Sequence, residues 1–494
     1  MKRFVPLMGV LLWCSMAWAQ TPTLVQHVSC QNSGAIGSGW DGSSMSSTPV
    51  YLCPLPEPSQ TGNALVLGLF SDNSGNPTWT VSDDKSNTWT MAGSSKDNKG
   101  NIIAIYYALN VAAGTRFLSV KNSGGTAGYL AASASEYYNV AASSALDGKS
   151  CNAGSGSTSI AAGSITPSIS GDLLWQWAVN ANAAAVSTFS AGSQSNIAWQ
   201  LNGTDINDGD ATQAGIYNST AAINPTFSSG TSQPWDSCAI ALKGAIAGTA
   251  PQKTFRIVHM LHQQMSANAS TPFPIEMPAS GNLIVISYIS GGNTITSVSS
   301  NPANTWSSTG ALVSDGVQVT SQIYYAANAS TSNAMTFSIG QGGTLTGTTF
   351  MIYDVTGAAA SPFDVDSGGQ SGDQKSFTSS LTSCSNCLTP SAANELVVGN
   401  VGNAWCTATG ITSPAGALFD AATYTGNSVD GPQSVDQNNG WFHYYTTGTS
   451  TLSATWTYTC GSYAQNAWAG RIAAFKGAPQ NQPAPPTGLK VTVQ

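Results

Sequence analysis

Charged residues are the scarcest class in this sequence. Asp, Glu, Lys and Arg together make up 8% of its 494 residues, against roughly 25% in ordinary soluble domains. Coiled coils and helical bundles need charged faces at helical spacing, and nucleic-acid-binding proteins need a basic surface, whereas this chain has a formal net charge of −8. The composition therefore excludes these classes, predicts no nucleic-acid partner and favours an exported, mostly β protein.

Recognisable catalytic patterns are also missing. None of the four glutamates has a second acid two or four residues away, the spacing that would place two carboxylates on one strand face for glycoside hydrolysis. The four histidines are not accompanied by a Gly-x-Ser-x-Gly sequence that would present an activated serine. No catalytic residue is predicted, and the question of enzymatic activity stays open with a non-enzymatic role favoured.

The first nineteen residues have the pattern of a secretory signal. A basic start at Lys2 and Arg3 precedes an apolar run, and Ala17-Trp18-Ala19 is a small-x-small cleavage sequence. Residues 1–19 are therefore predicted to be removed. No later segment has 18 consecutive apolar residues, so no membrane insertion is expected. We expect a secreted protein or one held at the cell surface.

The cysteines agree with an oxidising compartment. Eight remain after Cys14 leaves with the signal, four in each half of the chain, and an even number in an exported protein indicates disulfides. Four cysteines allow three connectivities, and the sequence does not choose among them. The pairing of near neighbours is the one we predict: Cys30 with Cys53, Cys151 with Cys238, Cys384 with Cys387, and Cys406 with Cys460.

The strongest pattern is an internal repeat. Short motifs of the first half return in the same order in the second: Gly62-Asn-Ala-Leu-Val66 as Gly281-Asn-Leu-Ile-Val285, Asn87-Thr-Trp89 as Asn304-Thr-Trp306, and Ile105-Tyr-Tyr-Ala108 as Ile323-Tyr-Tyr-Ala326. The spacing far exceeds the ~20–50 residues of solenoid repeats. We predict two homologous domains at 24–246 and 254–478, a linker at 247–253, and a Pro-rich tail with a single strand at 479–494.

Within each copy the segments have the composition of strands. Short runs rich in β-branched and aromatic residues, such as Leu65–Phe70 and Ile284–Tyr288, are bounded by Gly, Ser, Asn and Asp. Capped helical patterns are hard to find. Many strands in a domain of this length predict two stacked antiparallel sheets. The fold class is therefore predicted to be all-β, with two antiparallel β-sandwich domains of jelly-roll type in tandem.

The repeated motifs resemble those of a known group of proteins. The strand Gly62–Val66, the sequence Asn87-Thr-Trp89, the paired tyrosines before Ala108 and the closing Lys476-Gly477 resemble the tandem β-sandwich repeats, jelly-roll or concanavalin-like, of secreted bacterial surface proteins. The resemblance implies a sandwich fold and brings no catalytic residues. Residues 483–494 resemble the linker and first strand of a fibronectin type III domain, which implies either truncation of a longer chain, the reading we favour, or a free strand.

Two kinds of ligand site are predicted. Aromatic rings flanked by amides and carboxylates stack on sugars, and the residues of this kind are Trp40, Trp405, Trp441, His443 and Tyr444. A Gly-containing loop brings together the carboxylates of Asp205, Asp208 and Asp210. Because calcium prefers such hard oxygen donors, it is the one candidate cofactor.

These observations favour a non-enzymatic protein that binds a polysaccharide or cell-surface glycan, or mediates surface attachment. The alternatives are a carbohydrate-active enzyme on the same scaffold and a structural spacer or filament subunit.

Overall fold

The structure, a computed structural model, describes residues 20–32, 38–40, 45–71, 78–122, 130–180, 189–205, 209–265, 273–291, 294–316, 319–342, 348–373, 387–403, 406–420, 439–460 and 467–479. The predicted signal peptide and nearly all of the predicted tail lie outside these residues. Within them the chain forms 34 strands and no helix.

The first half contains fifteen strands: β1 (Thr23–Asn32), β2 (Ser38–Trp40), β3 (Met45–Pro54), β4 (Ala64–Ser71), β5 (Trp79–Asp83), β6 (Thr90–Lys96), β7 (Ile102–Ala108), β8 (Phe117–Asn122), β9 (Leu130–Tyr138), β10 (Leu146–Ala161), β11 (Asp172–Asn180), β12 (Phe189–Ser190), β13 (Gln200–Asp205), β14 (Asp210–Tyr217) and β15 (Thr226–Leu242).

The second half contains nineteen: β16 (Arg256–Met265), β17 (Phe273–Met277), β18 (Leu283–Ser290), β19 (Thr294–Asn301), β20 (Ser307–Ser308), β21 (Val313–Ser314), β22 (Thr320–Ala327), β23 (Met335–Gly342), β24 (Thr348–Thr356), β25 (Ala358–Asp366), β26 (Gln370–Asp373), β27 (Cys387–Leu388), β28 (Glu395–Asn403), β29 (Cys406–Ser413), β30 (Leu418–Phe419), β31 (Gly440–Tyr445), β32 (Leu452–Ser453), β33 (Thr455–Cys460) and β34 (Ala467–Gly477). The all-β prediction is confirmed.

The central sheet contains strands of both halves. Its order is β20-β22-β18-β24-β16-β1-β9-β4-β7-β6, with β21 also on β22. The two halves meet at β1 and β16, which pair in parallel with His27 opposite His259, while the other strand pairs are antiparallel. Going outwards from this seam, strands that correspond in the sequence repeat follow in the same order on both sides.

The central sheet is the middle of three layers. One of its faces packs on a nine-stranded sheet, β10-β15-β11-β14-β13-β17-β23-β19 with β12 on β15. The other face packs on the sheets β2-β3-β8-β5 and β25-β34-β28-β31-β30, the second of which also carries β26. In β4, Val66 lies in the cluster with Trp175, whereas Leu67 lies in the cluster with Leu118. Because both faces are covered, β4 and β18 are buried along their whole length and are mostly apolar.

The two halves are connected through the central sheet and through the pairing of β13 with β17 in the nine-stranded sheet. Residues of the predicted linker are hydrogen-bonded to the first half, since the Thr249 amide donates to the Asn63 side chain at 2.7 Å and the Asn139 amide donates to the Ala247 carbonyl. The domain limits and the tandem arrangement stay predictions.

One repeated motif now has a structural explanation. Asp83, at the end of β5, accepts hydrogen bonds from the Asn87 amide and from the Trp89 indole at 2.7 Å. In the second copy, Ser300 takes the place of Asp83 and accepts a bond from the Asn304 side chain. The motif thus shapes a turn after the strand.

Two predicted disulfides are confirmed, Cys30–Cys53 and Cys151–Cys238. Both are consistent with an oxidising compartment. The register of β29 and β33 places Cys406 directly opposite Cys460, and that pairing stays a prediction. Cys387 lies on β27, but its predicted partner Cys384 lies outside the described residues. Among the residues described, no helix is long and apolar enough to cross a membrane.

Candidate functional site

A cavity of about 230 Å³ lies at the seam between the two halves. It is formed where β1 and β16 begin, together with the segment before β4. We call it the junction cavity, and its lining residues are Val25, Gln26, Glu57, Pro58, Gln60, Pro251, Gln252, Lys253 and Arg256.

Glu57 is the acid of the junction cavity. It lies between Pro56 and Pro58, which restrict the backbone. The buried side chain of Gln26 fixes this backbone further, because it accepts from the Glu57 amide at 2.6 Å and donates to the Glu57 carbonyl at 2.8 Å. The Tyr445 hydroxyl donates to Oε1 of Glu57 at 2.5 Å. The carboxylate is therefore held in place from both its backbone and its side chain.

Behind Glu57 lies a buried polar cluster built from both halves. Nε2 of His443 is 3.9 Å from Oε1 of Glu57, and Nδ1 donates to Asp420 at 2.8 Å. Asp420 also pairs with the Arg116 guanidinium and accepts from the Tyr353 hydroxyl at 3.0 Å. Arg116 is 3% exposed and Asp420 1%. Buried charges of this kind are tolerated only when paired and hydrogen-bonded, and Asp420 meets both conditions.

The two tyrosines of this cluster stay protonated. Burial, and then the negative charge of Glu57, raises the pKa of Tyr445 well above its ordinary value. Burial and the charge of Asp420 do the same to the pKa of Tyr353. Each hydroxyl thus remains a hydrogen-bond donor to its carboxylate. We call Glu57, Tyr445, His443, Asp420, Arg116 and Tyr353 together the junction cluster.

Two cations face the same cavity. Nζ of Lys253 is 4.0 Å from Oε2 of Glu57 and 4.0 Å from the centroid of the Tyr445 ring. Arg256 donates to the Val25 carbonyl, and burial lowers its pKa although the charge of Glu57 acts in the opposite direction. The cavity therefore offers one carboxylate, two cations and amide groups within a small volume.

The other half of the molecule serves as an internal comparison. On β31, Tyr445 lies opposite Leu396 of β28, and at the equivalent place on β14, Ile216 lies opposite Leu173 of β11. By the same register His443 corresponds to Ala214. The fold therefore does not require His443 or Tyr445.

A second cavity, of about 170 Å³, lies on that equivalent side. Its lining has no Asp, Glu, Lys or Arg among the described residues: Pro22, Leu24, Tyr137, Leu173, Ala198, Gln200, Ala214, Gly215 and Ile216. Of these two equivalent cavities, only the junction cavity is lined by charged groups among the described residues.

The predicted aromatic site needs a correction. Trp441 is 1% exposed and packs against the His262 ring, and His443 is fully buried. Neither offers a ring face to a ligand in solvent, because β31 is covered on both sides. Tyr444 is half-buried. Trp405 and the side chain of Trp40 lie outside what the structure describes.

The predicted calcium loop is only partly described. Asp205 ends β13 and pairs with Asp210 at the start of β14, while Asp208 lies outside the described residues. Asp210 is 5% exposed. Within the described ranges, no group of three or more His, Cys, Asp or Glu side chains is arranged to hold a metal ion. Calcium binding stays a prediction.

Most of the junction cluster was missed from the sequence, because its members come from segments far apart in the chain. One signal was available. The repeat aligns His443 and Tyr445 with small or aliphatic residues, and such a difference between duplicated copies marks a position that the fold leaves free.

The sequence matches no protein-family model, and a search of curated proteins finds no similar chain.

Proposed function

We propose that this is an exported protein for glycan binding or surface attachment, with its ligand site at the junction cavity. One observation carries the proposal: the junction cluster opens into this cavity, while the equivalent cavity on the other side lacks charged groups. The two confirmed disulfides and the resemblance to tandem β-sandwich repeats of secreted bacterial surface proteins support export.

The chemistry of the cavity suits a sugar. Glu57 can accept hydrogen bonds from ring hydroxyls, and Lys253, Arg256 and Gln60 can donate to ring and hydroxyl oxygens. The Tyr445 ring, fixed by its bond to Glu57, is a stacking platform once Lys253 moves aside. A volume of about 230 Å³ is below the roughly 300–1,000 Å³ of drug-sized sites. We therefore expect the cavity to take one sugar residue, such as the end of a chain.

A carbohydrate-active enzyme is the second candidate function, because Glu57 is backed by His443 and Asp420. However, glycoside hydrolysis generally needs two carboxyl groups flanking the bond, and Glu57 is the one acid among the described residues that line this cavity. The carboxylate of Asp420 does not line the cavity and is already bound to Arg116, His443 and Tyr353. Binding without hydrolysis is the simpler reading of this geometry.

The test is a glycan array and polysaccharide pull-down of residues 20–494, with release of reducing sugar measured in parallel. Glu57→Gln should weaken binding at least tenfold, since it removes the charged acceptor and keeps the side-chain shape. Gln200→Ala, in the uncharged cavity, is the matched control and should bind normally. Sugar release that Glu57→Gln abolishes would favour the enzyme, and equal binding by both variants would contradict the proposed site.

A further inference from the structure

The chain itself places an ammonium group in the junction cavity. Nζ of Lys253 is 4.0 Å from Oε2 of Glu57 and 4.0 Å from the centroid of the Tyr445 ring. The first distance is too long for a hydrogen bond, whereas the second is within the range of a cation–π contact. The groups around this cation are therefore a carboxylate and the face of an aromatic ring, which together suit a primary ammonium. We call this place the ammonium site.

The ring and the carboxylate of the ammonium site are held in place. The Tyr445 hydroxyl accepts from the Ile257 amide at 3.1 Å and donates to Oε1 of Glu57. Oε2 is therefore the oxygen nearer to the ammonium. The Phe255 ring, 1% exposed, packs against Tyr445 edge to face, with the two centroids 6.1 Å apart. Both groups are thus ordered before a ligand arrives, which lowers the entropy lost on binding.

Lys253 is the part of this arrangement that can move. Its side chain is 53% exposed, and it lies in the exposed stretch 252–254 before β16. A long, exposed side chain loses entropy when it is held in one geometry, so ion pairs of this kind contribute little. Lys253 can therefore leave the Tyr445 ring at little cost and return when the site is empty.

The charges around the cavity favour a cation over an anion as the ligand group. Burial lowers the pKa of Arg256, whereas the charges of Glu57, Glu136 and Asp354 raise it. Burial also raises the pKa of Glu136, which weakens the contribution of that acid. With Lys253 moved aside, an incoming anion meets two or three carboxylates and one guanidinium. A cation at the ammonium site instead replaces the charge that Lys253 takes away.

We propose that the sugar residue bound in the junction cavity is an amino sugar with a free ammonium group, and that Lys253 is its internal competitor. The ligand ammonium takes the place of Nζ between Glu57 and the Tyr445 ring, and the sugar ring fills the rest of the cavity of about 230 Å³. Glucosamine, which has a primary amine in place of one ring hydroxyl, has this chemistry. The inference rests on the proposed function, because it names the ligand class of the same site.

A matched series of sugars tests the inference. Hexamers of β-1,4-linked glucosamine, N-acetylglucosamine and glucose differ only at carbon 2, which carries an ammonium, an amide or a hydroxyl. Residues 20–494 are titrated with each hexamer in a calorimeter at pH 6, where primary amines are protonated. We expect the glucosamine hexamer to bind at least about tenfold more tightly than the other two. Glu57→Gln should remove this preference.

Lys253→Ser provides the second arm. Loss of the competitor should tighten binding of the glucosamine hexamer about three- to fivefold, the range expected for one exposed contact of this kind. A lysine that donates to the ligand would have the opposite effect. Lys99→Ser removes the same charge from the exposed loop between β6 and β7, so it is the matched control and should bind like the parent. Because Lys253 is exposed, this arm stays interpretable if Glu57→Gln folds poorly.

Equal binding of the three hexamers, or weaker binding of the glucosamine hexamer by Lys253→Ser, would overturn the inference. So would poly-L-lysine bound as tightly as the glucosamine hexamer, because the ammonium would then be recognised without its sugar. If a neutral or acidic glycan binds in a manner sensitive to Glu57→Gln and the glucosamine hexamer does not, the inference fails and the proposed glycan site stands. If no glycan binds, both fail.

Discussion

Replacement of Arg116 by methionine is the sharpest test of how the junction cluster holds the halves together. The guanidinium is 3% exposed and pairs with Asp420, which comes from the other half and is 1% exposed. Removal of one member of a buried ion pair costs about 3–5 kcal/mol. His443 and Tyr353 still donate to Asp420 in the variant, so we place Arg116→Met near the lower end, at about 3 kcal/mol.

A double-mutant cycle separates this charge effect from lost packing. Asp420→Asn alone leaves Arg116 buried without its counter-charge, and the double variant Arg116→Met/Asp420→Asn removes both charges. We expect the double variant to be more stable than the sum of the single effects by about 2 kcal/mol. Lys253→Met is the control, because the exposed pair of Lys253 with Glu57 should contribute at most about 1 kcal/mol.

The assay is urea unfolding of each variant, followed by tryptophan fluorescence at constant pH. Single effects that add to within about 0.5 kcal/mol would show that the two residues are independent. The ion pair would then not be what joins the halves at this point.

Three further predictions concern other parts of the molecule. Burial, reinforced by Asp97, raises the pKa of Asp236 to about 7. The stability that this proton provides is fully present below the ordinary pKa of 3.8 and is lost as pH rises from there to about 7. The advantage of Asp236→Asn over the parent in thermal scans should therefore grow by about 2 kcal/mol between pH 5 and pH 8. In Gly68→Ala the new Cβ would lie 2.8–2.9 Å from buried Trp rings, which should cost about 1–3 kcal/mol in urea unfolding, whereas Gly448→Ala meets nothing within 4 Å and should change little. Trp89→Phe, which loses the indole bond to Asp83, should lower stability by about 1 kcal/mol in the same assay.

The fold class could be predicted because it depends on local pattern. The run of residues 64–70 in β4 has no polar side chain, which marks a strand covered on both faces, and the polar clusters between such runs mark turns. The parallel pairing of β1 with β16 could not be predicted. It joins residues more than 200 positions apart, and the alternation within a strand does not specify its partner.

The aromatic site shows that polar neighbours in the sequence do not make a ring exposed. In β31 the central sheet covers one face, and Trp456 packs on the other, with its ring centroid 5.4 Å from that of Phe442. Trp441 and His443 are therefore both buried. A neighbouring pair of acids, Asp364 on β25 and Glu395 on β28, was also missed. They come from different strands, so a search for acids spaced along one strand cannot find them.

The parallel seam at the centre of the molecule has a consequence for any attempt to divide the chain. Cut near residue 250, each fragment would end its sheet at its own first strand, with a row of backbone amides and carbonyls newly open to pairing. Exposed edges of this kind recruit other chains, so each fragment is expected to dimerise or aggregate. Covalent continuity of the two copies therefore also protects the protein from self-association.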